Sequence, residues 1–73
     1  MAFRVYSRAG IRFLGNSSPS KMEVHDLHNE KANCQIDEIL SAGHAVGFIV
    51  DTLEYAHIER YDNCAWCIGG SLR

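Results

Sequence analysis

The chain carries Cys64-Ala65-Trp66-Cys67 near one end, and its one other cysteine is Cys34. A Cys-x-x-Cys turn points two sulfurs at one place, which suits either a disulfide or a metal ion. If those two pair with each other, Cys34 is left over as an odd thiol. A four-coordinate metal removes that imbalance, because His25 and His28 lie just upstream of Cys34. The expectation is therefore a structural Cys3His zinc site, with His25, Cys34, Cys64 and Cys67 as ligands and His28 as the alternative to His25. A fold built on such a site has to bring distant parts of the chain together.

Length argues in the same direction. A chain of 73 residues makes one small domain and buries only roughly 60–65% of its unfolded surface, so an apolar core alone gives marginal stability. Domains of this size are commonly reinforced by disulfides, a metal or a partner subunit. No apolar run approaches the ~20 residues of a membrane span. Arg4 and Arg8 interrupt the apolar residues at the start, which therefore do not read as a signal peptide. The default is a cytoplasmic protein, where thiols stay reduced and this spacing favours metal over disulfide.

Alternation and punctuation predict an α+β fold. Residues 2–8 alternate, with Phe3 and Val5 on one face and Arg4, Tyr6 and Arg8 on the other. A turn at Ala9-Gly10 and a second strand at 11–14 would close a basic hairpin within residues 1–20. Residues 21–27 alternate again as a third strand, and 28–33 read as a loop. Helical spacing of Ile36, Ile39 and Leu40 predicts a helix over 34–42, capped by Asn33 and stopped by Gly43. Residues 45–50 form the most apolar strand. Asp51-Thr52-Leu53-Glu54 has the form of a capping box led by Asp51, and a helix of about two turns follows. Residues 68–73 read as a flexible tail. The expected architecture is a small antiparallel sheet with both helices on one side, pinned by zinc.

His25 ends the third strand and projects from a rigid element, whereas His28 is nearer to Cys34 along the chain. His44 and His57 read as surface or edge residues. Cys34 at a helix start would sit in a partial positive charge that lowers its thiol pKa.

The order Phe13-Leu14-Gly15-Asn16-Ser17, Val24-His25, Cys34, Ile36, Phe48, Thr52-Leu53-Glu54-Tyr55-Ala56, Tyr61 and Cys64-x-x-Cys67 resembles the small Ada-type metal-binding domain. That family reads as a Val-Gly-Ser-like turn, a His or Cys before a Cys, a Phe then Ser/Thr-x-Glu-Glu-Ala passage, and Gly-Tyr-x-x-Cys-x-x-Cys. The likeness covers about residues 11–67 and implies the fold and the metal. Arg60 stands where the family has Gly, and the His-to-Cys interval is longer than usual. In the DNA-repair members the first ligand is a cysteine that accepts a methyl group from a DNA phosphotriester. Here that position resembles a histidine, which argues against methyl acceptance.

Charge is uneven. Residues 1–21 hold four cations (Arg4, Arg8, Arg12, Lys21) and no acid, and the remainder holds nine acids against three cations. Arg4, Tyr6, Arg8 and Arg12 are the candidate nucleic-acid contacts, with arginines on phosphates and Tyr6 stacked on a base. The overall acidity opposes that reading. A non-catalytic zinc domain that binds nucleic acid is the leading expectation. A protein-interaction module and a thiol sensor using Cys64 and Cys67 are the alternatives. No Ser/His/Asp order, phosphate-cradling glycine loop or carboxylate pair suggests an enzyme.

Overall fold

The computed structural model describes residues 1–70. Its strands are β1 (Ala2–Arg4), β2 (Phe13–Asn16), β3 (Glu23–Asp26), β4 (Ala45–Phe48) and β5 (Asp62–Asn63), and its helices are α1 (Ile36–Ser41) and α2 (Leu53–Ile58). Two 3-10 turns, Leu27–Asn29 and Ala32–Cys34, join β3 to α1. The strands form one sheet in the order β1-β4-β2-β3-β5, antiparallel except for the parallel β3–β5 pair. This is the expected α+β class.

The predicted basic hairpin does not form. β1 pairs with β4, Ala2 opposite Phe48 and Arg4 opposite Val46, and β4 separates it from β2. The reason lies in the two sequences. Phe13-Leu14-Gly15 is buried throughout, which suits a central strand covered on both faces. The half-exposed, arginine-bearing β1 suits an edge. Gly15 also requires the centre: a Cβ there would lie 2.7 Å from Val46 Cγ2 and 2.9 Å from both Phe48 Cζ and Tyr61 Cε2.

Because successive strand residues point to opposite faces, β2 divides the core in two. Leu14 packs with Ile36 and Ile39 of α1, Ala45 and all three cysteines. Phe13 packs on the other face with Val24, Phe48, Tyr61 and Ala56 of α2. The helices thus cover opposite faces, not one side as the sequence reading expected. On the second face the Phe48 ring meets Tyr61 edge-on, centroids 5.2 Å apart at 79°.

Caps and ends also differ from expectation. Thr52, not Asp51, caps α2 by accepting from Tyr55 N. Asp51 instead accepts from the Arg12 and Phe13 amides at 2.7 and 2.9 Å, so its carboxylate satisfies the start of β2. Residues 68–70 are not a free tail: Ile68 packs against both core clusters, and the Gly69 carbonyl accepts from Asn63 Nδ2. The remaining tail residues, 71–73, lie outside the described ones. No described helix is long and apolar enough to cross a membrane.

Candidate metal centre

Pairing brings the four predicted ligands together. β5 runs parallel to β3 with Val24 opposite Asn63, so the residues that follow, His25 on β3 and Cys64 just beyond β5, also become neighbours. The Cys64 amide donates to the Val24 carbonyl at 3.0 Å, fixing the start of the Cys-x-x-Cys turn. The turn closes when the Ile68 and Gly69 amides donate to the Cys64 carbonyl at 3.1 and 2.9 Å. His25 lies opposite Leu14 on β2 and therefore faces the α1 side of the sheet.

Cys34 comes from a different element than expected. It ends a 3-10 turn instead of opening α1, and Gln35, in the left-handed conformation at φ 54°, separates the two. Asn33 is accordingly not the helix cap, and Gln35 makes no side-chain capping bond. The helix-end charge invoked for Cys34 is outweighed, since burial pushes its thiol pKa up. The helix does stop at Gly43, whose φ of 77° suits the left-handed exit glycine tolerates.

One donor atom from each of His25, Cys34, Cys64 and Cys67 lies within 4.8 Å of the others, and all four residues are buried. Cys34 Sγ and Cys64 Sγ are 3.7 Å apart, and Cys67 Sγ is 3.9 Å from His25 Nδ1. Metal–sulfur bonds of about 2.3 Å in a tetrahedron put sulfurs about 3.8 Å apart. A disulfide would need about 2.05 Å. The spacing fits donors around an ion.

Electrostatics point the same way. His25 is 3% exposed, and its Nε2 has no hydrogen-bond partner among the described residues. Burial lowers its pKa from 6.5 to about 4, so the ring is a neutral donor. Burial likewise pushes the Cys67 thiol up to about 12. With burial raising both Cys34 and Cys67, these thiols give up their protons readily only when a cation takes their place. The donor set therefore fits a metal ion.

Three residues absent from the sequence prediction hold this site. The Asp26 amide donates to Cys67 Sγ at 3.3 Å. Its carboxylate accepts from Arg12 Nε and Nη2, both at 3.1 Å, and from the His28 amide at 3.0 Å. Asn29 Nδ2 donates to the Cys67 carbonyl at 2.8 Å, and Asn63 ties the far end of the turn to Gly69. Asp26 and Asn29 lie 41 and 38 positions from Cys67, and no local pattern marks such partners.

The other predicted residues fall elsewhere. His28 is exposed on the Leu27–Asn29 turn and is not part of the cluster. His57 Nε2 lies 2.6 Å from Asn63 Oδ1. Arg4, Tyr6, Arg8 and Arg12 do not share one strand face, since β1 ends at Arg4. Arg4 lies over the Tyr6 ring, Arg8 is paired with Glu30 and Asp37, and Arg12 is paired with Asp26. Comparison with protein-family models, curated proteins and solved structures returned no match.

Proposed function

We propose that this chain is a small domain closed by a structural zinc ion on His25, Cys34, Cys64 and Cys67, with no catalytic role. One observation carries the reading: four buried donors from three separate segments meet within 4.8 Å. Three thiolates and an imidazole suit a borderline-soft, tetrahedral ion, which favours zinc over magnesium or calcium. Four protein ligands leave no open position for a substrate or an activated water, as a catalytic zinc would need.

The resemblance to Ada-type domains belongs with this reading. Where that family has Gly, Arg60 takes a φ of 72°, the backbone conformation glycine favours. The first ligand is an imidazole, so the methyl acceptance of the repair members is not part of the proposal. Nucleic-acid contact through Arg4, Tyr6, Arg8 and Arg12 draws little support from their positions, because Arg8 and Arg12 face carboxylates. A protein partner remains the second reading, favoured by the exposed Trp66 beside the metal ligands.

Native mass spectrometry of the purified chain tests the proposal. One zinc per chain is expected, lost in His25→Ala and kept in His28→Ala. Absence of bound zinc, or its loss in His28→Ala alone, would overturn the assignment.

A further inference from the structure

The three sulfurs of the centre are not equivalent. A cleft of about 280 Å³ opens beside it, with Cys34, Cys64 and His25 in its lining together with Lys21, Glu38 and Trp66. Among the described residues, Cys67 does not line this cleft. Cys67 Sγ instead accepts the Asp26 amide at 3.3 Å, and its carbonyl accepts from Asn29. A hydrogen bond to a thiolate withdraws electron density and lowers its reactivity toward an electrophile. The cleft is many times the ~30 Å³ that one water occupies, so a molecule as small as hydrogen peroxide has room to enter.

We infer that Cys34 and Cys64 form an oxidation site, where a peroxide entering by the cleft joins them in a disulfide and releases the metal. The inference rests on the zinc reading above and deepens it. The bridging pair is Cys34–Cys64, whose sulfurs are already 3.7 Å apart, and not the sequence-adjacent Cys64–Cys67. One thiolate attacks a peroxide oxygen: an S–O bond forms, the O–O bond breaks and hydroxide leaves, giving a sulfenic acid. The second thiolate then attacks that sulfur: the S–S bond forms, the S–O bond breaks and a second hydroxide leaves. The two sulfurs lose two electrons in total and the peroxide gains them. An ion stripped of two of its four ligands dissociates, and a dithiol reductant that regenerates both thiols restores the site.

The test uses zinc-loaded protein. Metal content is measured first, then hydrogen peroxide is added while a chromogenic chelator follows zinc release. Free thiols are afterwards alkylated and the digest is mapped by mass spectrometry. Expected is one zinc released per Cys34–Cys64 bridge, with Cys67 alkylated. A bridge that includes Cys67, or three alkylated cysteines with zinc retained, would overturn the inference and leave the zinc reading intact. A chain without zinc before peroxide is added overturns the zinc reading itself, and this inference with it. Ala42→Trp, an exposed lining position outside the ligand set, should keep full zinc content and slow release about tenfold, the effect of about 1.4 kcal/mol on a barrier. An unchanged rate in that variant would rule out entry by the cleft.

Discussion

The two faces of the sheet share strand β2 but are built from different materials. One face packs Phe13, Val24, Phe48, Ala56 and Tyr61, with aromatic edges locked against each other and Gly15 leaving room for the rings. Apolar burial of this kind needs nothing beyond water's exclusion. The other face devotes three of its seven buried cluster positions to cysteine, and next to them stands a buried histidine whose Nε2 has no partner among the described residues. Unpaired buried polar groups destabilise a fold. The contrast teaches that a domain this small can make one face self-sufficient and let an ion complete the other. β2 belongs to both, so the faces should stand or fall together.

The largest effect should come from breaking the thiol face. Cys64→Ser, or stripping the metal with a strong chelator, removes a binding free energy of about 10–16 kcal/mol. That is comparable with or larger than the ~5–15 kcal/mol stability of a whole domain. Far-ultraviolet and near-ultraviolet circular dichroism should be lost together in the variant. Survival of the aromatic near-ultraviolet signal alone would show that the two faces are independent.

Breaking the aromatic face should cost less and spare the metal. Phe48→Ala empties the centre of that layer and should destabilise by about 3–5 kcal/mol. Denaturant unfolding in excess zinc measures the loss, and zinc stoichiometry at low denaturant should remain that of the parent chain. Loss of zinc from the folded variant would mean that the aromatic layer also positions the ligands.

Protonation sharpens the comparison because the perturbed ligands lie on one face only. In the metal-free chain, burial keeps His25 neutral down to about pH 4, whereas the unfolded chain takes up that proton at 6.5. Stability is therefore lost as pH falls from 6.5 toward 4. Cys67 behaves in the opposite sense: its pKa rises from 9.0 to about 12, so stability is lost as pH climbs through that interval. With chelator present and a stabilising osmolyte holding up the folded fraction, that fraction should peak between about pH 6.5 and 9. His25→Gln should flatten the acid side, and an unchanged acid limb would locate the responsible group elsewhere.

How much of this was legible in the chain depends on how far apart the partners lie. Cys64 and Cys67 announce themselves through spacing, and His25 is preferred to the alternative His28 because it projects from a predicted strand instead of a loop. The helix stop at Gly43 is a local signal and occurs as read, whereas the strand read over 45–50 ends at Phe48 and leaves Ile49 and Val50 exposed. The pairing of β1 with β4 depended on which strand tolerates burial on both faces, a competition that no single segment records. Asp51 looked like a helix cap because it precedes Thr52, yet its carboxylate serves the start of β2, 38 and 39 positions away. Likewise Cys34 looked helical because Ile36 and Ile39 follow it. The left-handed Gln35 that detaches it from α1 has no glycine to betray it.

The smallest expected effect lies at the edge of the aromatic face, where Arg60 leads from α2 to Tyr61. Its φ of 72° is uncommon for a residue with a Cβ. Arg60→Gly should therefore raise stability by about 0.5–1 kcal/mol with zinc content unchanged, as read by thermal unfolding of the zinc form. A destabilised glycine variant would mean that the arginine side chain contributes more than its backbone conformation takes away.

X-ray absorption at the zinc edge, on purified protein containing one metal per chain, tests the central claim most directly. The account predicts three sulfur neighbours at about 2.3 Å and one nitrogen at about 2.0–2.1 Å, with the nitrogen replaced by a fourth sulfur in His25→Cys. A shell of oxygen and nitrogen donors, or a spectrum unchanged by Cys34→Ser, would contradict it.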